Sequence, residues 1–314
     1  MTVRLSTLGL GGAQVGNLYR EVSDAVAEAT LAAAWDGGIR YFDTAPHYGL
    51  GLSERRFGGF LRQFPRDSYV LSTKVGRLLV RNPRFAGQPD TEGFAVPART
   101  VRQWDFSRDG VRRSIEESLD RLGLDRIDVV YLHDPEGHWR QALDEGVPAL
   151  LELRDEGVIG AFGAGMNLAA PLTELILGHG VDLVMCAGRY TLLEQAGDLM
   201  AAAQERGVGV VIAGVYNSGL LARSRPGPDP KYDYAPAPQA LVERVHTLAD
   251  LCERHGVTLP EVALAFPLRH PAVVSVVVGA GTPEQVTQNV DRLATAIPQA
   301  LWAELAASGL VGAA

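Results

Sequence analysis

The sequence contains little cysteine, no long apolar run and no excess of cationic side chains. Its two cysteines, Cys186 and Cys252, are too few for a disulfide framework, so we expect a reducing, cytoplasmic environment. No segment approaches the ~18 consecutive apolar residues of a membrane span. The first residues, Met-Thr-Val-Arg-Leu-Ser, show no apolar signal segment. We therefore expect neither membrane insertion nor export.

The charge balance excludes another class of partner. Lys and Arg number 29 against 37 Asp and Glu, which gives a net charge of -8. Nucleic-acid-binding domains usually carry the opposite sign. A nucleic-acid partner is therefore not expected, whereas a small molecule, including a phosphate-bearing cofactor, is compatible with this charge because it needs only a local site.

The length and composition are those of one folded domain. The chain has 314 residues, of which 46% are hydrophobic and 21% are charged. A single α/β barrel has about 250 residues before insertions. Since no linker divides the chain, we expect one domain over residues 1–314.

Short apolar runs alternate with amphipathic stretches along the chain. Runs rich in Val, Ile and Leu without polar alternation are typical of strands that are buried on both faces. Eight strands are predicted: Leu5–Gly11, Ile39–Asp43, Tyr69–Lys74, Asp128–His133, Ile159–Ala164, Leu183–Cys186, Val208–Ala213 and Val273–Val278. Helices are predicted near 22–37, 52–63, 107–123, 140–156, 195–206, 239–255 and 283–293. Repeated strand–helix units indicate a parallel sheet with helices outside.

Two long irregular stretches interrupt this alternation. Residues 79–106 follow the third predicted strand, and residues 217–238, which contain five prolines, follow the seventh. Loops of this length are usually functional. Because both follow strands, we expect them to cover the face where the strands have their carboxyl ends.

Four polar residues at or just past strand ends carry most of the chemical information. Asp43, Lys74 and His133 end or directly follow three different predicted strands, and Tyr48 follows the first of these. Taken singly, each has an ordinary structural role as a cap, a half-buried ring or a satisfied core residue. The carboxyl ends of parallel strands converge on one mouth, however, so these side chains are expected to meet there.

A carboxylate, a phenol, an ammonium and an imidazole together make a proton-transfer site. An unperturbed tyrosine titrates near ~10 and is a poor acid or base at neutral pH. A nearby Lys74 cation is expected to lower the pKa of Tyr48, with Asp43 holding Lys74 by an ion pair. His133 would then donate a hydrogen bond to the substrate oxygen. Such a site suits hydride chemistry at a carbonyl or alcohol carbon.

Several motifs resemble the aldo-keto reductase superfamily. They are Phe42-Asp43-Thr44-Ala45-Pro46-His47-Tyr48-Gly49, Ser53-Glu54, Thr73-Lys74-Val75, Ser118-Leu119-Asp120-Arg121-Leu122-Gly123 and Asp128 through His133-Asp134-Pro135. The resemblance runs from about residue 5 to residue 293. It implies a (β/α)8 barrel, a nicotinamide cofactor, and Asp43, Tyr48, Lys74 and His133 as the catalytic tetrad.

The phosphate site is predicted after the last strand. The run Leu8-Gly9-Leu10-Gly11-Gly12 fails as a dinucleotide fingerprint because Gln14 occupies the third glycine position. In Gly279-Ala280-Gly281-Thr282-Pro283-Glu284-Gln285, Thr282 is the expected N-cap and Gln285 is expected to complete a capping box. Free backbone N–H groups at such a helix start bind anions.

The resemblance implies a wider set of cofactor contacts. These are Gly12, Asn167, Gly214, Ser218, Leu220, Gly279, Ala280, Gly281, Thr282, Gln285, Gln288 and Asn289. Relatives that prefer NADP often carry Lys or Arg against the 2′-phosphate, but residues 279–289 contain no cation. We therefore expect NAD to be preferred over NADP, or both to be used. The aromatic residue that stacks on nicotinamide in the family is missing or displaced near Tyr216.

In these differences from other relatives, the sequence resembles a subgroup of sugar and pyridoxal dehydrogenases. The expected reaction is oxidation of an L-fucose-like hemiacetal at C1 to a lactone. Expected substrate contacts are His47, Trp104, Asp134 and Asn217, with Arg77, His138 and Trp139 as further candidates.

Alternative functions remain open at this stage. Pyridoxal oxidation and general aldehyde or ketone reduction would use the same tetrad. A metal-dependent hydrolase could take ligands from His133, Asp134, Glu136 and His138, although their spacing defines no coordination geometry. A cofactor-sensing partner subunit would bind the cofactor without turnover. No metal is expected.

Overall fold

Eight parallel strands close into a barrel. The computed structural model describes residues 3–233 and 235–311. Its strands are β1 Leu8–Gly11, β2 Tyr41–Asp43, β3 Val70–Val75, β4 Arg77–Arg81, β5 Thr100–Trp104, β6 Ile127–His133, β7 Ile159–Met166, β8 Leu183–Ala187, β9 Gly209–Ala213, β10 Lys231–Tyr232, β11 Ala235–Pro236 and β12 Val273–Gly279. The barrel order is β1-β12-β9-β8-β7-β6-β3-β2, and β1 pairs with both β12 and β2. The predicted (β/α)8 barrel and its eight strands are confirmed.

Helices on the outside connect the barrel strands. They are α1 Asp24–Asp36, α2 Leu52–Leu61, α3 Arg108–Leu122, α4 Trp139–Gln141, α5 Val147–Asp155, α6 Ala169–Gly178, α7 Gly197–Arg206, α8 Gln239–Arg254, α9 Leu259–Ala265, α10 Pro283–Ala294 and α11 Gln299–Ala307. Within the described ranges, no helix has the length and hydropathy needed to cross a membrane.

Helix α3 shows how local sequence sets these elements. The Ser107 hydroxyl accepts a hydrogen bond from Gly110 N, and Gly123 ends the helix in the left-handed conformation, as predicted. Val111 and Ile115 lie on its buried face. Burial of this face fixes α3 against the barrel beside β3, the strand that carries Lys74.

Three helices were missed by the sequence prediction. Helix α9 has a capping box between Thr258 and Glu261 and a proline at its start, so it carried a readable signal. Helices α6 and α11 have no side-chain cap at their first turn. The predicted helix over 140–156 is interrupted by a π-helical turn at Ala142–Gly146.

The stretch 79–106 is not wholly irregular. Strands β4 and β5 pair as an antiparallel hairpin, with Arg77 opposite Trp104. The hairpin begins directly after β3, where Gly76 takes a positive φ of 104° that favours glycine. It therefore projects from the carboxyl end of a barrel strand, on the face that carries the polar residues. The second stretch, 217–238, contains the short pair β10 and β11, and its Tyr234 lies outside the described residues.

The barrel interior below the polar residues is packed with side chains. One buried cluster includes Tyr41, Val129, Tyr131 and Met185. The Tyr41 hydroxyl lies 3.0 Å from that of Tyr131 and 3.1 Å from Ser72 Oγ. This interior fills the barrel beneath the polar residues and supports the site from below.

Candidate active site

Asp43 and Lys74 form a buried ion pair at the mouth of the barrel. Lys74 Nζ lies 2.6 Å from Asp43 Oδ2 and 3.0 Å from the Thr44 carbonyl oxygen. Asp43 Oδ1 accepts a hydrogen bond from Ser72 Oγ at 2.7 Å. Both charged side chains are almost inaccessible to solvent. A buried pair of this kind is stable only when its remaining donors and acceptors are satisfied, as they are here.

Tyr48 lies over this ion pair. Lys74 Nζ is 4.7 Å from the centre of the Tyr48 ring. Burial raises the pKa of Tyr48, and the Lys74 charge opposes that rise without reversing it. The expectation that Lys74 brings the pKa of Tyr48 below its ordinary value is therefore wrong for this state of the protein. Tyr48 is a protonated phenol at neutral pH.

Lys74 itself stays charged. Burial alone would lower the pKa of Lys74, but the Asp43 carboxylate and Tyr48 outweigh it and raise that pKa. The ammonium group is therefore a fixed positive charge beside Tyr48 at neutral pH.

His133 completes the group at the end of β6. Its ring centre is 5.7 Å from that of Tyr48, with the two planes perpendicular. Burial and the charges of Arg77 and Lys74 hold the pKa of His133 well below its ordinary value, so the ring is neutral. Its Nδ1 atom is buried without a hydrogen-bond partner in the described structure. The structure thus brings all four predicted residues together.

Other residues of the motifs that resemble aldo-keto reductases pack behind these four side chains and support them. Glu54 is fully buried and accepts hydrogen bonds from Thr73 Oγ1 at 2.8 Å and from Arg121 Nε at 2.5 Å. Thr44 and Ser53 are joined by their hydroxyls at 2.8 Å. These contacts tie β3 and the Tyr48 loop to helices α2 and α3. They explain why such residues accompany the tetrad in the sequence.

The expected substrate residues lie on two sides of the mouth. On the hairpin side, Asp134 is ion-paired with Arg77, whose guanidinium lies 4.3 Å from the centre of the Trp104 ring. His47 is adjacent, with its ring 5.4 Å from that of His133. Trp104 is 40% exposed, so part of its ring is open to solvent.

Asn217 follows β9 on another side of the barrel. Its Nδ2 donates to the Gly188 carbonyl oxygen at 3.1 Å, whereas its Oδ1 is buried with no partner among the described residues. Its φ of 44° is unusual for a residue with a side chain. An unsatisfied buried acceptor in a strained backbone is typical of a ligand-binding position.

The glycine-rich segment after β12 leads into α10 as predicted. Thr282 Oγ1 accepts from Gln285 N, so Thr282 is the N-cap. The predicted capping box is wrong in one detail: Gln285 Oε1 accepts from Gly281 N at 2.8 Å, one residue before the cap. At Gly279, a side chain would overlap Gln14, so glycine lets the Gln14 side chain pack against this segment.

Arg20 was missed by the sequence analysis. A carbon at the Cβ position of Gly281 would lie 3.0 Å from Arg20 Nη2. Arg20 is exposed and makes no ion pair within residues 3–233 and 235–311. It approaches from the loop after β1, so no pattern within 279–289 could have revealed it.

The remaining expected cofactor residues have varied surroundings. Gly12 is packed where a side chain would meet Ser53 and Phe57, and Gly214 has a positive φ of 63°.

The Asn167 carbonyl oxygen accepts from Arg189 Nε, and Leu220 is buried in the core. Ser218 has a φ of 57°, Ala280 is buried and Gln288 is exposed.

Tyr216 lies against helix α10. Its hydroxyl donates to Asn289 Oδ1 at 2.8 Å, and its ring lies beside the Arg292 guanidinium. The Asn289 oxygen is therefore already hydrogen-bonded to the protein. Arg292 is held by Asn289 and by the Ala222 carbonyl oxygen. Tyr216 thus belongs to the α10 side of the mouth.

The metal alternative gains no support. Among the described residues, no three His, Cys, Asp or Glu side chains are grouped so that they could hold a metal ion. Asp134 is engaged by Arg77, and the His138 ring packs 5.1 Å from Trp104.

Comparison with known proteins identifies the family of this chain. Residues 7–309 match the model of the aldo/keto reductase family. The chain belongs to the aldo/keto reductase family. It is 51% identical to D-threo-aldose 1-dehydrogenase from a Pseudomonas species, over 98% of this chain and 95% of that protein. It is 41% identical to pyridoxal 4-dehydrogenase from Microbacterium luteolum, with the same coverage.

A solved structure agrees with this assignment. The aldo-keto reductase AKR11C1 from Bacillus halodurans, in its holo form, superposes with a TM-score of 0.78 at 28% identity. The match covers 99% of this chain and 93% of that one.

As an aldo/keto reductase, the protein is an oxidoreductase that uses a nicotinamide cofactor. The residues present fit such a group. Asn217 Oδ1 and His133 Nδ1 are unsatisfied at the mouth. Gly279 is exposed before α10, and the Arg20 cation lies beside Gly281.

Proposed function

We propose that the protein oxidises the C1 hemiacetal of an L-fucose-like aldose to a lactone, with Tyr48 accepting the proton of the anomeric hydroxyl. The observation that carries this proposal is the Lys74 ammonium, held by Asp43 and placed against Tyr48. The 51% identity to D-threo-aldose 1-dehydrogenase supports the choice of an aldose.

Each member of the tetrad has a distinct role in this proposal. Lys74 stabilises the phenolate that Tyr48 must become before it accepts a proton. Asp43 keeps Lys74 charged and in place. His133, which is neutral, donates a hydrogen bond that orients the C1 oxygen. When bound, the nicotinamide ring supplies the hydride acceptor for C1.

The surroundings of the tetrad limit the access of water to the proton transfer. Asp43, Lys74 and His133 are each at most 6% exposed. Phe94, from the loop of the hairpin, packs its ring 6.1 Å from that of Tyr48 and 5.1 Å from that of His47. Charge interactions strengthen where water is excluded, so the Lys74 charge acts on Tyr48 more strongly than it would in solution.

For the cofactor, we propose that NAD is preferred and that NADP is also used. Residues 279–289 contain no cation to hold a 2′-phosphate, which favours NAD. The approach of Arg20 to Gly281 supplies one cation from elsewhere in the chain, which accounts for use of NADP. We also propose a cytoplasmic location, supported by two buried free cysteines.

One substrate panel tests the proposed function. NADH formation would be followed with L-fucose, other aldoses, pyridoxal and simple alcohols. We expect the highest kcat/KM with an aldose of L-fucose configuration. A higher kcat/KM with pyridoxal would instead indicate pyridoxal oxidation, the reaction named for the 41% identical relative. Tight NAD binding without turnover of any substrate would indicate a cofactor-sensing subunit.

A further inference from the structure

Arg102 makes a contact with His47 that the proposed reaction does not by itself explain. Arg102 lies on β5 of the hairpin and points back to the Tyr48 loop. Its Nε donates to His47 Nδ1 at 2.7 Å, and its Nη2 donates to the His47 carbonyl oxygen at 3.0 Å. Both the ring and the backbone of His47 are therefore held by one guanidinium group.

The guanidinium group is itself fixed. Asp90, in the loop of the hairpin, pairs with Arg102, and the side chains of both residues are only 4% exposed. Arg102 Nη2 donates to Asp90 Oδ2 at 3.1 Å. Glu92 lies at the exposed edge, 3.5 Å from Arg102 Nη1 and 3.9 Å from His47 Nδ1. A buried pair with a rigid donor fork holds its neighbour in a defined position.

This contact determines which nitrogen of His47 carries the proton. Arginine does not give up its proton in proteins, so His47 Nδ1 must be the acceptor. Burial, together with the charges of Arg77 and Arg102, holds the pKa of His47 far below its ordinary value. His47 is therefore a neutral ring with its proton on Nε2, and Nε2 can only donate a hydrogen bond.

The donor lies beside the reacting groups. The His47 ring centre is 5.4 Å from that of His133 and 5.9 Å from that of Tyr48. His47 Nε2 makes no hydrogen bond with any residue of the described ranges. A sugar whose C1 oxygen contacts Tyr48 and His133 lies beside the His47 ring, and the hydroxyl nearest to its reacting carbon is that of C2.

We propose that Arg102 is a positioning residue that fixes His47 as an Nε2–H donor to the C2 hydroxyl oxygen of the aldose. The proposal rests on the proposed function for its substrate, but the proton position of His47 is a property of the protein alone. It assigns the hairpin a role in selecting substrates with an oxygen next to the reacting carbon.

The first test measures the protein without substrate. The control variant Glu92→Gln changes an exposed carboxylate and keeps the Asp90–Arg102 pair and its hydrogen bonds to His47, whereas Asp90→Asn/Arg102→Met removes the donor and leaves no unpaired buried charge. Nitrogen-15 NMR of labelled protein, with His47→Phe to assign the His47 signals, reports the tautomer. We expect the Nε2–H form in wild type and Glu92→Gln, and a mixture of forms in the double variant. The Nδ1–H form in wild type would overturn the proposal.

The second test compares L-fucose with 2-deoxy-L-fucose. In wild type and Glu92→Gln, loss of the C2 hydroxyl should raise KM by about tenfold with a smaller change in kcat, the effect of one lost hydrogen bond. In Asp90→Asn/Arg102→Met and in His47→Phe, this difference between the two sugars should disappear. His47→Phe keeps the test decisive if the double variant does not fold.

The outcomes separate the two proposals. If wild type oxidises no aldose, the proposed function fails, and the NMR result still stands. If wild type oxidises L-fucose but His47→Phe retains the full 2-deoxy penalty, His47 does not contact C2 and the present proposal is wrong. If the double variant keeps the wild-type tautomer and the full 2-deoxy penalty, the hairpin fold rather than Arg102 holds His47, and the positioning role is wrong.

Discussion

At Lys74, two opposing effects decide the charge state. Burial favours a neutral amine, but the Asp43 carboxylate 2.6 Å away favours the ammonium and outweighs it. At Tyr48 the balance goes the other way, because burial raises the pKa more than Lys74 lowers it. The sequence identified both residues but could not give this balance, since burial depends on the Phe94 loop and other distant segments.

The raised pKa of Tyr48 predicts a pH dependence. Oxidation needs Tyr48 ionised, and below its pKa the ionised fraction grows with pH. We therefore expect kcat/KM for aldose oxidation to rise by about tenfold per pH unit through the neutral range, without a plateau below pH ~10. Aldehyde reduction needs the protonated form and should be independent of pH there. A plateau of the oxidation rate near neutral pH would contradict the pKa direction assigned to Tyr48.

Ionisation of His133 or His47 does not change the slope of that pH profile in the neutral range. The pKa of each lies below the ordinary histidine range, so both rings stay neutral through the neutral region. This neutrality could not be read from the sequence, because the cations responsible include Arg77 and Arg102 on the hairpin.

Arg20 predicts how the cofactors are distinguished. Arg20→Ala should weaken NADP binding by about 10- to 100-fold, the loss of a charge-assisted hydrogen bond, and leave NAD binding nearly unchanged. Fluorescence titration of both cofactors provides the measurement. Arg140→Ala is a matched control, because the Arg140 side chain is 95% exposed on the separate helix α4. Equal weakening of NAD and NADP binding would show that Arg20 contacts a part of the cofactor that is common to both.

At the scale of elements, helix α2 shows how closely the outer layer is packed. Gly58 and Gly59 are consecutive, but a side chain at Gly58 would overlap the backbone of Leu122 at the end of α3, whereas Gly59 has open space. This contact brings α2 against α3, and Glu54 and Arg121 join the same two helices.

The two glycines predict opposite effects on stability. Gly59→Ala should stabilise the protein by about 0.5–1 kcal/mol, because alanine is the better helix former. Gly58→Ala should destabilise it by about 1–3 kcal/mol or more, because the helices must separate. Urea unfolding of both variants gives the comparison, with wild type as reference. A stable Gly58→Ala protein would show that α2 and α3 can move apart freely.

The hairpin is the element that sequence reasoning described least well. Residues 79–106 were predicted as an irregular cover over the mouth. Their location over the mouth is right, but β4 and β5 form regular structure. The pairing was hard to predict because Arg77–Arg81 directly continues β3 after the turn at Gly76. The sequence therefore could not predict that Asp90, Phe94 and Arg102 contribute to the site, because only the tertiary structure brings them there.

At the scale of the whole molecule, the barrel and the tetrad were predictable for the same reason. Buried strands have a continuous apolar pattern, and a polar residue directly after such a strand must lie at its carboxyl end. The cofactor and substrate regions depend instead on loops from β1, β3 and β9. Arg20 and Gln14 meet the segment before α10 because the barrel closes between β1 and β12, and Tyr216 meets α10 because β9 pairs with β12.

The central claim is that Tyr48, beside the Lys74 ammonium, transfers the proton. Its most direct test is the variant Tyr48→Phe, assayed for NADH formation with the best substrate of the panel and for NAD binding by fluorescence. We predict a fall in kcat of about 10²- to 10⁴-fold, the contribution of one general acid–base group, with NAD affinity unchanged. A variant that binds NAD and turns over at nearly the wild-type rate would contradict the account.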